Sequence, residues 1–407
     1  MEKEIKPENR ARVLYLDGFR GIACLMVFFF HYATNLGIPV GRHMFGIWGF
    51  TGVHLFFILS GYLLFQPFLK AILGSRPFPS IGSFYLRRFV RIYPPFFLSL
   101  LIYVGLRLKT HTHIPSPANI LAHAGLVSNY LNPKLWYSIN PVFWSLAIEM
   151  QFYVLLPILS RLFYQRNAGR PNLRAAGLIL TFFLIGGVAR SIEFFHWRST
   201  EGIHSYIFFR SIFSYLDLFA VGMFIALLRA EPFATRIRTR TGFGVLALAG
   251  FAIMIPANLW CTFTAPASWL ESPRALYTIL FPVAICTAWG MVLLANVLYE
   301  KKSPRFLNRG FLVWAGQISY SIYLYHVGVE FFMLRVVHLS NSLGWDLRNL
   351  IYAVITLPVT LAVSALMYQL VERPCVQWLT RPTNSRLAST DVAASLTTPP
   401  VLGVPAD

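Results

Sequence analysis

Apolar runs of about 18 to 24 residues recur along the whole chain, each long enough to cross roughly 30 Å of hydrocarbon as a helix. By length alone, 407 residues would form two or three soluble domains. However, 56% of the residues are hydrophobic and only 13% charged, where a soluble domain has about a quarter charged. A soluble fold cannot hide that much apolar surface. The pattern predicts an all-α polytopic membrane protein with about ten transmembrane helices around a polar central cavity. The spans are expected at 14–36, 46–66, 92–108, 141–160, 175–195, 207–228, 242–260, 275–299, 311–336 and 348–371.

The formal net charge of +19 first suggests an acidic partner. A nucleic-acid partner needs a basic soluble face, whereas these charges lie between apolar runs, so nucleic acid is excluded. Sorted by segment, basic residues favour one side by about three to one. That side holds Lys3, Lys6, Arg10 and Arg12, then Lys70, Arg76, Arg87, Arg88 and Arg91, and four later clusters. The opposite side holds Arg42, Arg107, Lys109, Lys134, Arg198, Arg274, Arg335 and Arg348. The positive-inside rule then places both termini in the cytoplasm, in what is expected to be a bacterial cytoplasmic membrane.

The first apolar run is expected to stay as a span, because acidic residues precede it and Asp17 and Arg20 interrupt its start. Residues 109–140, with His111, His113 and His123, are expected to form a folded or re-entrant cap or an ordinary loop. The segment 380–407 is rich in Ser, Thr, Pro and Ala and is expected to be a disordered cytoplasmic tail behind a transmembrane core at 1–379. Cys24, Cys261, Cys286 and Cys375 show neither zinc spacing nor a disulfide framework. No metal site is indicated.

An ionisable side chain at mid-bilayer costs about 2.5–3.5 kcal/mol on insertion scales, so each one asks for a partner, a wet cavity or a chemical task. Arg20 and His31 stand at i, i+11, about 20° apart around the helix and about 16 Å apart along it. They share a face without touching. An elongated charged ligand fits that geometry, as does an interfacial Asp17–Arg20 pair with His31 bonded to a neighbouring helix. If helical, Arg88 and Arg91 present two guanidinium groups on one face, a fork suited to phosphate oxygens. An arginine-collecting cytoplasmic loop would show the same residues.

Glu149 sits in an apolar run and either forms a buried ion pair or orients His31 or an arginine. Ser319, Tyr323 and His326 recur at i, i+4 and i+7, which suits a cavity wall or helix-to-helix hydrogen bonding. Ser60 and Gly61 suit close packing with a cross-helix hydrogen bond. Asp217 and Glu330 are further intramembrane acids to which the sequence assigns no partner.

These segments together resemble the acyltransferase 3 family. The matching pieces are Leu16-Asp17-Gly18-Phe19-Arg20-Gly21 with His31, Gly52 to Gly61, Phe84 to Pro94, Trp144 to Tyr153, Ile318 to His326, and Glu372-Arg373-Pro374. They occur in order over residues 16–374. The resemblance implies a ten-helix membrane enzyme that moves acyl groups, usually acetyl from acetyl-CoA, onto hydroxyls of carbohydrates and related acceptors. It implies that Arg20 and His31 are required, that Arg88 and Arg91 serve the donor, and that no cofactor is permanently bound. The chain departs from the family pattern where His54 stands in place of a common Asp, and Met150 in place of a common second Glu.

The expected activity is membrane O-acyltransfer from acyl-CoA to a hydroxyl of a carbohydrate or glycosylated acceptor. His31 would be the general base, with Glu149 in support. Arg20, Arg88 and Arg91 would hold the donor, and Ser319, Tyr323 and His326 would line the substrate cavity. Many family members carry a fused hydrolase-like domain that completes the transfer; with none expected here, the core is expected to complete the transfer itself rather than hand the acyl group to a separate protein. A glycan or lipid-linked sugar transporter or flippase would also place charges in a central cavity, but matching interrupted halves are not evident. A non-catalytic scaffold is the third reading.

Overall fold

A computed structural model describes residues 13–35, 48–110, 114–130, 138–164, 170–197, 211–230, 242–264, 274–299, 302–337 and 345–380. Among them there is no strand. The helices are α1 (Leu14–Asn35), α2 (Thr51–Ile72), α3 (Ile81–Thr110), α4 (Pro117–Ala124), α5 (Phe143–Tyr164), α6 (Pro171–Trp197) and α7 (Leu216–Ala230). They continue with α8 (Gly242–Thr264), α9 (Arg274–Leu298), α10 (Arg305–Asn308), α11 (Phe311–Gln317), α12 (Ser319–Val336), α13 (Trp345–Met367) and α14 (Arg373–Thr380). A π-helical turn, Tyr368–Glu372, joins α13 to α14.

Nine helices among the described residues are long and apolar enough to cross a membrane. The all-α polytopic expectation therefore holds. The expected span at 311–336 is instead two pieces, α11 and α12, divided at Ile318. The backbone still bonds across the division, from the Ile318 amide to the Trp314 carbonyl at 3.3 Å and from the Ile322 amide to the Ile318 carbonyl at 3.0 Å. The third helix also differs: it begins at Ile81, well before the expected 92, so Arg88 and Arg91 lie on a helix. Hydropathy misses that extension because its first turns carry Arg87, Arg88 and Arg91.

Packing follows the distribution of large and small side chains. Phe152 stacks on Phe219 at 3.9 Å, Phe57 lies 4.8 Å from Phe219, and Phe96 meets Phe143 edge-on at 5.0 Å. These rings tie α2, α3, α5 and α7 into one interior. Outside, α6 exposes Leu173, Leu180, Leu184 and Val188 while Leu178 and Phe182 are buried, the arrangement of a helix facing lipid on one side and protein on the other.

Small residues let α1 approach α10 and α11. A Cβ on Gly316 would stand 1.8 Å from the Asp17 carbonyl oxygen, and one on Gly21 would stand 2.1 Å from that of Leu312. Both obstacles are backbone and cannot swing aside. The described part of residues 109–140 is folded rather than open: α4 starts at an N-cap where Ser116 accepts from the Asn119 amide, and Asn119 and His123 are buried. His111, His113 and the tail 381–407 lie outside the described residues.

Asp217 has a partner that the sequence did not suggest. Arg190 of α6 donates from Nη2 to Asp217 Oδ1 at 2.8 Å, and the Leu218 amide donates to the same oxygen at 3.0 Å. This buried ion pair fixes α6 against the start of α7.

Gly316→Val is expected to lower the thermal midpoint in detergent, at a cost of about 1–3 kcal/mol or more for the enforced helix separation. An unchanged midpoint would contradict the close approach. Asp217→Leu should cost about 3–5 kcal/mol by stranding Arg190, while the Arg190→Leu, Asp217→Leu double variant should recover part of that loss in the same unfolding measurement.

Candidate functional site

A cavity of about 300 Å³ lies at the meeting of α1, α2, α3, α5 and α12. Its charged wall is Arg20, Arg88, Arg91 and Glu149, and its hydroxyl wall is Ser60, Ser145, Tyr153, Ser319, Tyr320 and Tyr323. Six of the eight side chains singled out from the sequence therefore converge on one cavity: Arg20, Arg88, Arg91, Glu149, Ser319 and Tyr323. Only His31 and His326 of the eight fall outside that wall.

The three arginines reach the cavity by different routes. Arg20 projects from α1, and the charges acting on it are those of Arg91, Asp17, Glu149 and Glu372. Arg88 and Arg91 come from the same face of α3 at i, i+3, as helical geometry requires. The Arg88 guanidinium lies 5.7 Å from the Phe84 ring centroid and 5.8 Å from that of Tyr153, sandwiched by aromatic faces. Its Nε is buried and has no hydrogen-bond partner.

Glu149 is held by two hydroxyls, Ser60 Oγ at 2.6 Å and Tyr153 Oη at 2.5 Å, both donating to Oε1. Ser60 makes the cross-helix bond that its place beside Gly61 suggested. Glu149 thus lines the cavity beside the arginines, one of the alternatives the sequence left open, and its Oε1 accepts from hydroxyls rather than from His31. A carboxylate four residues from Tyr153 on its own helix meets that tyrosine before it can reach an imidazole on α1.

The group placed against His31 is His326, with ring centroids 5.3 Å apart. His326 completes the i, i+4, i+7 face with Ser319 and Tyr323, but it sits beyond the cavity lining, beside His31. Its Nδ1 lies 3.0 Å from the carbonyl oxygens of both Ile322 and Tyr323. Carbonyls only accept, so Nδ1 carries the proton and Nε2 presents a lone pair. That Nε2 is buried without a partner.

Tyr323 links the two regions. Its ring is 6.0 Å from that of His326, and its hydroxyl bonds to Ser145 Oγ inside the cavity. Ser319 Oγ, on the first turn of α12, is buried without a partner. The first turn of α12 therefore brings an unsatisfied hydroxyl to the cavity wall.

Sequence reasoning missed three groups. Glu372, in the π-helical turn, accepts from Ser321 Oγ at 2.9 Å, and Tyr320 Oη donates to the Ile92 carbonyl at 2.8 Å. Arg190, the partner of Asp217, was legible as an arginine in mid-span. Among the described residues no group of His, Cys, Asp and Glu could hold a metal ion, and Cys24, Cys286 and Cys375 are free thiols.

The site's arginine-rich cavity and its histidine pair can be set beside known proteins. A family model described as an acyltransferase domain matches residues 13–369. A Staphylococcus aureus protein named as a candidate O-acetyltransferase is 26% identical over 373 residues, covering 88% of this chain and 56% of the relative. The peptidoglycan O-acetyltransferase of Listeria monocytogenes is 24% identical over 386 residues, covering 90% of this chain and 56% of that protein. An Acidianus two-tailed virus protein named as a candidate acetyltransferase is 27% identical over 312 residues, covering 76% of this chain and 81% of the relative. The chain spans about half the length of the first two relatives. No solved structure matches. With the family match covering all the described helices that build the cavity, the chain belongs to the acyltransferase 3 family of integral membrane proteins.

Proposed function

We propose that the chain is a membrane O-acyltransferase that takes an acyl group, acetyl above all, from acyl-CoA and delivers it to a hydroxyl of a carbohydrate or glycosylated acceptor. The observation that carries this reading is the convergence of three arginines and one carboxylate on a cavity whose Arg88 Nε and Ser319 Oγ are buried without partners. A buried guanidinium nitrogen or hydroxyl without a partner is stable only beside a ligand or water that bonds to it. Coenzyme A carries phosphates at the end remote from its thioester, so an anionic tether and a distant reacting carbon are what Arg20 and His31 on one face of α1 can serve. The Listeria relative's O-acetyltransferase name supports the transferred group and the hydroxyl acceptor.

In this reading the bilayer is a bacterial cytoplasmic membrane, both termini are cytoplasmic, and the arginine end opens to the cytoplasm. Arg20, Arg88 and Arg91 hold the donor phosphates, while the pantetheine arm runs along α1 toward His31. A neutral His31 takes the proton of the acceptor hydroxyl as its oxygen attacks the thioester carbonyl. The tetrahedral oxyanion accepts from the Tyr323 hydroxyl, which exchanges its Ser145 contact for the developing charge. Collapse releases the thiolate, which receives the proton from His31, so that acyl ester and free thiol are the products. Glu149 holds Tyr153 against Arg88 and so positions the donor site.

The test is transfer of radiolabelled acetyl from acetyl-CoA to glycosides by the purified chain in nanodiscs. His31→Ala should lower turnover about 10²–10⁴-fold, the usual contribution of a positioned general base. Arg88→Gln should raise the acetyl-CoA KM about tenfold or more, as expected when a charge-assisted bond to phosphate is lost, with a smaller change in kcat. Full turnover in His31→Ala, or glycan translocation without acyl transfer, would overturn the assignment.

A further inference from the structure

The contact between α1 and α12 repeats one helical turn beyond the histidines. His31 lies beside His326, and four residues further on both helices Asn35 Nδ2 donates to Glu330 Oε2 at 2.7 Å. The two helices therefore run in the same direction here with a fixed register, and their polar residues form two successive rungs. The second rung lies about 6 Å further from the arginine end than the first. Glu330 is 1% exposed and His326 is 1% exposed. Glu330 Oε1 and His326 Nε2 are both buried without hydrogen-bond partners.

A buried polar atom left unsatisfied costs on the order of 1–3 kcal/mol. Two of them, one turn apart on the same face of α12, are expensive as pure packing elements. A brace between α1 and α12 would need only the Asn35–Glu330 Oε2 bond, which leaves Oε1 unexplained. Nearby polar groups on the same stretch are satisfied: the Tyr103 hydroxyl takes the Gly328 amide at 2.8 Å and donates to the Leu324 carbonyl at 3.2 Å. Tyr32 Oη donates to the Asn349 carbonyl at 2.5 Å.

We infer that Glu330 Oε1 and His326 Nε2 form the acceptor subsite, receiving hydrogen bonds from two hydroxyls of one polyhydroxylated acceptor. This rests on the acyltransfer reading above. What two buried acceptor atoms lack is donors, and the residues that carry them are about 6 Å apart along α12. An acceptor bound there lies beyond His31 from Arg20, so donor and acceptor approach the histidines from opposite ends and neither blocks the other. A simple alcohol satisfies one of the two atoms, whereas a glycoside satisfies both. Glu330 holds the acceptor without touching the reacting atoms, and Asn35 positions Glu330 through its bond to Oε2.

The test compares methyl glycosides of glucose, N-acetylglucosamine and rhamnose with 1-butanol as acceptors for the full chain in nanodiscs, using acetyl-CoA as donor. Wild type should use at least one glycoside in preference to the alcohol. Glu330→Gln keeps an acceptor oxygen for Asn35 and the side chain's size. It should raise the KM for that glycoside about tenfold, with the acetyl-CoA KM, the 1-butanol rate and the thermal midpoint within about twofold or unchanged. Equal glycoside KM in both chains, an equal loss for glycoside and butanol, or butanol preferred by wild type would each overturn the subsite while leaving acyltransfer intact. Absence of transfer to every hydroxyl in wild type would overturn the acyltransfer reading itself.

Discussion

Polar groups in hydrocarbon must find partners inside the protein, and where the protein does not supply them a ligand or water has to. This condition separates the molecule's charged residues into two kinds. Arg190 and Asp217 satisfy each other and hold α6 to α7. Arg20, Arg88 and Arg91 converge on one cavity with Glu149, whose Oε1 two hydroxyls already occupy. The first arrangement is complete without a ligand; the second leaves Arg88 Nε and Ser319 Oγ buried without partners. The same accounting of partners distinguishes a structural ion pair from a binding site without reference to any other protein.

Helix α1 is the axis on which the site is assembled. Gly21 and, from the opposing side, Gly316 let its backbone meet that of α11 closely, which fixes α12 alongside it in parallel register. Arg20 then enters the cavity, while His31 and Asn35 are presented to His326 and Glu330. The break at Ile318 is part of this design. Ser319 and Tyr320, the first two residues after the division, both stand on the cavity wall.

Most of the membrane-spanning architecture was legible in the sequence because hydrocarbon thickness dictates the length of apolar runs. The failures have local causes. Arginines at the start of α3 lowered its hydropathy and hid about three turns of helix, and Ile318 interrupts an apolar run without a proline to announce it. The site residues were legible as polar side chains in costly places, and Arg20, Arg88, Arg91, Glu149, Ser319 and Tyr323 do converge. What the sequence did not carry was pairing across long chain distances. The sequence left Glu149 open to His31, an arginine or a buried ion pair, and packing sets it among the arginines, held by Ser60 and Tyr153. His326 was expected on the cavity wall, yet its register with α1 sets it beside His31. Periodicity within a helix fixes a face, but only the packing of two helices says what that face meets.

The central claim is that the arginine-lined cavity is built for an anionic acyl donor. Calorimetric titration of coenzyme A into the purified chain in nanodiscs examines it without depending on any acceptor. The account predicts saturable binding of one coenzyme A per chain, weakened in a variant with both Arg88 and Arg91 changed to Gln and retained in one with His31 changed to Ala. Absence of binding, or equal binding after loss of both arginines, would contradict it.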